Sequence, residues 1–258
     1  MPNLLEIKGL TKQFGGVTAV SDVSFEVGEG EIVAVIGPNG AGKTTLFNMI
    51  SCFLPPTKGE VVFKGKRLTG QRISQLAEQG ISRTFQNLQI FKNMTVLENV
   101  MMGAHVKLKT NVLNSAFRLP RIKKDENLAY ELALKAIKMV ELEELMFEKA
   151  GQLSYGLQKQ LEFARAIVYE PEFIMLDEPM AGLNDTETNR MAGYIQDLKA
   201  KGHSFLFVEH KMATIMELAD RIVVIDFGKK IAEGTPEEIQ KNENVIAAYL
   251  GEEAVEYA

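Results

Sequence analysis

Apolar and polar residues alternate over residues 4–8 and 17–27, with β-branched side chains prominent, and this period of two predicts an antiparallel β element at the start of the chain. The pattern then changes. Glu31-Ile32-Val33-Ala34-Val35-Ile36 is a nearly unbroken apolar run that predicts a buried strand, and the glycine-rich turn after it opens a helix from Lys43 to about Ser51. Pro55, Pro56 and Gly59 break the chain, residues 60–64 read as a strand, and residues 81–85 read as another ending at Gln86. From there to about Leu153 the text turns helical, and Leu128, Leu132, Ala136 and Val140 mark the stripe of an amphipathic helix. Beyond it come a helix opened at Ser154 with Leu157, Leu161, Ala164 and Val168 on one face, an apolar strand over 173–176, a helix near 186–199 carrying Met191, Tyr194, Ile195 and Leu198, and a strand over 204–208. Strands alternating with helices predict an α/β fold with a mainly parallel sheet. The expected organisation is one domain over 1–258, with 1–86 and 154–258 as the core and 87–153 as an inserted helical subdomain.

Composition removes several classes. A chain of 258 residues with 46% hydrophobic content can bury a sizeable core, so disorder is excluded. No apolar stretch approaches the roughly 18 residues of a membrane span, and Met1-Pro2-Asn3-Leu4-Leu5-Glu6 lacks the regions of a signal peptide, so the chain is expected in the cytoplasm. The lone Cys52 permits no internal disulfide, and with three scattered histidines no zinc cluster can form; Cys52 reads as a small core residue. A net charge of −5 argues against bulk nucleic-acid binding. Charge is nevertheless uneven: between His105 and Lys124 lie Lys107, Lys109, Arg118, Arg121, Lys123 and Lys124 with no acid, either a solvated loop or a face for lipid headgroups or a membrane partner.

The chemistry concentrates at strand ends. Gly37-Pro38-Asn39-Gly40-Ala41-Gly42-Lys43-Thr44-Thr45 has the pattern that wraps backbone N–H groups around phosphate oxygens at a helix N-terminus, with Lys43 against the terminal phosphates and the Thr44 hydroxyl on Mg²⁺. Kinases, GTPases, helicases and transport ATPases all carry such a loop, so it names a ligand class and no more. Phe173-Ile174-Met175-Leu176-Asp177-Glu178 is a strand ending in two carboxylates: Asp177 suits Mg²⁺ beside Thr44, and Glu178 suits the attacking water. A strand end capped by solvated acids is the bland alternative. Gln86 offers an uncharged amide that can reach metal or water, and Ser154 starts a helix that either binds an anion or is merely capped.

Together these motifs resemble the ATP-binding cassette family of transport ATPases: one phosphate loop, a Gln after a strand, Leu153-Ser154-Tyr155-Gly156, Leu176-Asp177-Glu178-Pro179, and Val208-Glu209-His210, over nearly the whole chain. The resemblance implies a RecA-like P-loop NTPase binding ATP and Mg²⁺, with two half-sites per chain completed in a head-to-tail dimer. It further implies that Ser154 and Gly156 act in trans on the partner's γ-phosphate, that Gln86 senses that phosphate and relays to the membrane subunits, and that His210 holds the γ-phosphate and the attacking water. Phe14, followed by Gly15, matches the ring that stacks on adenine; outside that context it would be a core residue. Two departures keep a cassette that binds ATP but scarcely hydrolyses it among the readings: Tyr155 and Leu157 stand where glycine and glutamine are usual, and Asn184 where many relatives carry Asp.

Arg83-Thr84-Phe85-Gln86-Asn87-Leu88-Gln89-Ile90-Phe91, Met94-Thr95-Val96-Leu97-Glu98-Asn99, the basic insert and Met180-Ala181-Gly182-Leu183-Asn184 are similar to the ATP-binding subunits of the high-affinity branched-chain amino acid importers. The partners implied are two membrane permeases, a second cassette or another copy of this one, and an extracytoplasmic amino-acid-binding protein, with this chain on the cytoplasmic face of the membrane. The stretch from Gln86 to about Leu97 is then the expected permease groove, although Phe91, Met94 and Val96 suit a helical core equally. A soluble cassette ATPase, a cassette of another transporter such as a lipid exporter, and a small-molecule kinase are the rival readings; the kinase has no use for Ser154, Gly156 or His210.

Overall fold

The computed structural model describes residues 3–85, 88–107 and 120–256. Strands β1 (Asn3–Phe14) and β2 (Val17–Gly28) form the expected antiparallel pair, joined by Gly15 and Gly16 and widened into a four-stranded sheet by β4 (Lys58–Phe63) and β5 (Lys66–Arg67), in the order β2-β1-β4-β5. The second sheet has six strands: β3 (Ile32–Ile36), β6 (Ile81–Arg83), β7 (Phe173–Asp177), β8 (Ser204–Val208), β9 (Arg221–Asp226) and β10 (Lys229–Gly234), ordered β10-β9-β3-β8-β7-β6. All neighbours are parallel except β9 and β10.

Every residue of β3, β7 and β8 is buried, which is why those strands read as apolar runs without alternation. The period of two survives in where the side chains go. Ile32, Ala34, Ile36, Ile174, Leu176, Phe205 and Phe207 enter one core, while Val33, Val35, Phe173, Met175, Leu206 and Val208 enter the other, shared with β1, β2 and β4.

The helices are α1 (Lys43–Ile50), α2 (Ile73–Glu78), α3 (Val96–Gly103), α4 (Pro120–Met139), α5 (Tyr155–Ile167), α6 (Asp185–Ala200), α7 (Met212–Leu218), α8 (Pro236–Gln240) and α9 (Glu243–Glu256). Helices α3, α4 and α5 pack on one another, so the helix opened at Ser154 shares the helical layer while also touching β6. On α4 the buried stripe is Ala129, Leu132, Ala133, Ala136 and Ile137, continued by Val140 just past the helix end; Leu128, expected to belong to it, is exposed. Val96 is fully buried whereas Phe91 is exposed beneath the Arg165 guanidinium, 5.1 Å from its ring centroid. Cys52 is half-buried rather than a core residue, with its thiol pushed up by burial. Gln86, Asn87, Lys109 and Arg118 lie outside the described residues.

The elements after residue 208 go beyond the sequence expectations. Ile222-Val223-Val224-Ile225 is too short a run to distinguish a strand from a buried helix by period alone, yet β9 lies directly beside β3 and shapes the site.

Candidate functional site: a phosphate loop beside a Glu–His pair

The central strand β3 lies between β8 and β9, so its carboxyl end opens into the crevice where open α/β sheets bind ligands. The chain leaves β3 at Gly37 with φ +155°. A Cβ there would stand 1.9 Å from the Ile225 carbonyl oxygen, so β9 leaves room for glycine alone. Gly42 is the N-cap of α1 and has no side chain with which to cap it, which leaves the first-turn N–H groups to the loop and its ligand. Lys43 is buried and folds back over the loop, donating from Nζ to the carbonyl oxygens of Gly37 (2.6 Å) and Pro38 (2.8 Å); Thr44 is exposed at the same helix end.

Asp177 ends β7 and is almost fully buried. Its N–H donates to Thr84 Oγ1 (3.2 Å), and its carboxylate accepts from Arg83 Nη2 (3.3 Å). Burial pushes the Asp177 carboxyl up, and Arg83 opposes that; burial likewise lowers the arginine. Arg83, which the sequence offers only as the first residue of the run 83–91 and with no role, also bonds Asn48 Oδ1 of α1 (2.7 Å) and Ser51 Oγ at its C-cap, and lies among the rings of Phe85, Phe47 and Phe53. It therefore ties the helix of the phosphate loop to the acidic end of β7. Arg83→Met leaves a buried carboxylate without its cation, a loss of about 3 kcal/mol at neutral pH. Removing Arg83 raises the Asp177 carboxyl further, so the loss is full above that raised value and shrinks as pH falls through it and the carboxyl takes up a proton. Urea unfolding at neutral and mildly acidic pH checks both the size and the sign.

Glu178 holds a left-handed backbone, φ +50°, while its N–H donates to the Val208 carbonyl (3.0 Å). Its Oε1 lies 3.0 Å from His210 Nε2 across the neighbouring strand end. Glu209, buried between them in sequence, accepts from the N–H groups of Met180 (3.1 Å) and His210 (3.0 Å); burial raises its carboxyl and those two bonds oppose the shift. Its signal in the sequence is an acid at the end of an apolar strand, Ser204–Val208.

The expected residues thus divide. Residues 37–45, Asp177, Glu178 and His210 gather at the carboxyl ends of β3, β7 and β8, whereas Ser154 and Gly156 sit at the start of α5 in the helical layer. Ser154 is an exposed N-cap whose Oγ accepts from the Leu157 N–H (3.4 Å). Phe14 is 49% exposed and so is not a core residue; its ring is open to stacking, with Lys12 Nζ 5.1 Å from its centroid. Asn184 caps α6 reciprocally with Glu187: Oδ1 accepts from the Glu187 N–H (3.0 Å) and Glu187 Oε2 from the Asn184 N–H (3.1 Å). The amide thus serves as the helix cap. No three His, Cys, Asp or Glu residues cluster into a metal cage among the described residues. The available donors, the Thr44 hydroxyl and the Asp177 carboxylate beside a phosphate cradle, are hard oxygens that suit Mg²⁺ shared with bound phosphates.

A glycine-rich loop and lysine between the central strand and its following helix, with an aspartate closing a nearby strand, define a P-loop NTPase. The family described as ABC transporter matches residues 20–181, and one described as branched-chain amino acid ATP-binding cassette transporter matches residues 229–255. The chain belongs to the ABC transporter family, as one of its ATP-binding cassettes, and is an ATPase. It is 43% identical over 250 residues to the high-affinity branched-chain amino acid transport ATP-binding protein BraF of Pseudomonas aeruginosa, covering 96% of this chain and 98% of that protein. The ADP conformation of an ATP-binding cassette of an ABC transporter superimposes with a TM-score of 0.85 at 36% identity, covering 97% of this chain and 100% of the other. A dimeric bacterial ABC transporter cassette does so with a TM-score of 0.76 at 26% identity, over 90% of this chain and 98% of the other. No helix among the described residues is long and apolar enough to cross a membrane.

Proposed function

We propose that this chain is the ATP-hydrolysing subunit of an importer for branched-chain, hydrophobic amino acids, and that closure of two cassettes around two ATP drives two permease subunits. The observation that carries it is likeness to a branched-chain transport protein along 96% of the chain, joined by a match to the branched-chain cassette family at residues 229–255. The division of the site supports the dimer: one strand-end half holds the phosphate loop and the Glu178–His210 pair, and Ser154 with Gly156 starts a different helix. Each half then needs a second cassette, and a related bacterial ABC transporter cassette is dimeric.

In this reading Lys43 exchanges the carbonyl oxygens of Gly37 and Pro38 for the terminal phosphates, and residues 37–42 with Thr45 turn backbone and hydroxyl groups to the remaining oxygens. Thr44 and Asp177 would hold Mg²⁺, with Gln86 as a further ligand and γ-phosphate sensor. A Mg²⁺ held there would supply positive charge against the phosphate oxygens. Glu178 takes the proton of the attacking water, and His210 steadies that carboxylate from 3.0 Å. Phe14 stacks on adenine. A cavity of about 250 Å³ between α2, β6 and α5, walled by Phe53, Ile73, Phe85, Gln89 and Arg165, takes the permease segment. The same cavity reaches Arg83, hence Asp177.

The test is a mild-detergent pull-down of the tagged chain from native membranes. Two permeases, a second cassette and ATPase stimulated by leucine or valine with their binding protein are expected; recovery of the chain alone, without stimulation, would give the function to a soluble cassette.

A further inference from the structure

Two glycines mark where the start of α5 touches the segment between Glu178 and α6. A Cβ on Gly182, whose φ is +78°, would lie 2.8 Å from Cε1 of Tyr155, so the tyrosine ring rests directly on that backbone. A Cβ on Gly156 would lie 2.1 Å from Oε1 of Glu187, the residue that closes the cap of α6. Ser154 therefore sits on a turn pressed at two points against residues 182–187.

That segment is fastened on its other side to the hydrolytic pair. The Met180 N–H donates to Glu209 Oε1 (3.1 Å), and Lys211 Nζ donates to the Leu183 carbonyl and to Thr188 Oγ1, both at 3.2 Å. Glu209 and Lys211 flank His210, which faces Glu178. Packed and hydrogen-bonded contacts thus run without a break from Glu178 through residues 180–184 to Tyr155 and Ser154, all in one chain.

We propose that Tyr155 is a positioning residue: its ring, seated on Gly182, locks the Ser154 turn to the Glu178–His210 pair, so that the state of a chain's own hydrolytic pair sets the posture of the serine it offers to the partner's ATP. The inference rests on the two-half-site reading above. It assigns a use to the departure from the usual glycine. A glycine at 155 would leave Gly182 uncovered, whereas the ring fills the space that Gly182 keeps open. The hydroxyl has no part in this contact, so phenylalanine should serve as well.

Contiguity alone is not coupling, so the test must read coupling. In the reconstituted transporter, ATP hydrolysis by the wild type should show a Hill coefficient above one, Tyr155→Phe should keep it, and Tyr155→Ala should bring it to about one. Binding of labelled ATP to the purified Tyr155→Ala chain should stay within about twofold of wild type, since the phosphate loop is untouched. Gly182→Ala, whose new methyl meets the ring and also strains a backbone at φ +78°, should lose cooperativity as Tyr155→Ala does, with a lower melting temperature that reports the strain separately. Thermal melts of each variant separate loss of the contact from loss of the fold. Cooperative wild type with unchanged Tyr155→Ala would overturn the inference alone, as would a defective Tyr155→Phe. A wild type without cooperativity would overturn the two-site reading and the inference with it.

Discussion

Glu178→Gln should bind ATP as the wild type does and hydrolyse it at least about 100-fold more slowly, the usual minimum for losing a positioned general base. The amide keeps the length of the side chain and can still face His210 Nε2 across the 3.0 Å contact. It cannot take a proton from water. The left-handed φ of +50° at this position is no worse for glutamine than for glutamate, and the N–H bond to the Val208 carbonyl is unchanged, so the fold should not move. With chemistry stopped and binding intact, the nucleotide-bound dimer should accumulate. Phosphate release and gel filtration with ATP give the two readouts. Turnover near the wild-type rate would remove Glu178 from the chemistry and transfer attention to His210 or Glu209.

Lys43→Ala should fail one step earlier, at binding. A buried ammonium within reach of a phosphate cradle makes charge-assisted bonds worth about 2 kcal/mol or more, so the Kd for labelled ATP should rise roughly 30-fold or beyond. In the free chain the same Nζ bridges the carbonyl oxygens of Gly37 and Pro38, so the variant also loses two bonds that shape the loop. Circular dichroism should show the sheet intact, because Gly37 remains pinned by β9 and α1 by its own core residues Leu46, Phe47, Met49 and Ile50. A titration giving a Kd close to wild type would take the lysine out of the site. The two variants are complementary: one separates hydrolysis from binding, and the other removes binding.

The phosphate loop was legible because its chemistry is local. Nine consecutive residues supply the glycines, the lysine and the hydroxyl, and their position between an apolar run and a helix follows from the pattern alone. Asp177 and Glu178 were legible for the same reason: the run from Phe173 to Leu176 announces a buried strand, and its end announces the crevice. The departures at 155 and 184 were visible as departures, but their consequences were not. Asn184 caps α6, and Tyr155 covers a glycine 27 positions away.

What the sequence by itself determined is the α/β class, the ligand class and the strand ends to which the chemistry is assigned by proposal, since each depends on neighbours within a few residues. Only the tertiary structure decided what lies across from them. Arg83 meets Asp177 from 94 residues away, His210 meets Glu178 from 32, and β9 closes on Gly37 although its own apolar run is ambiguous. These contacts are set by which strands become neighbours and by how side chains fill the space between layers, and neither leaves a periodic trace along the chain.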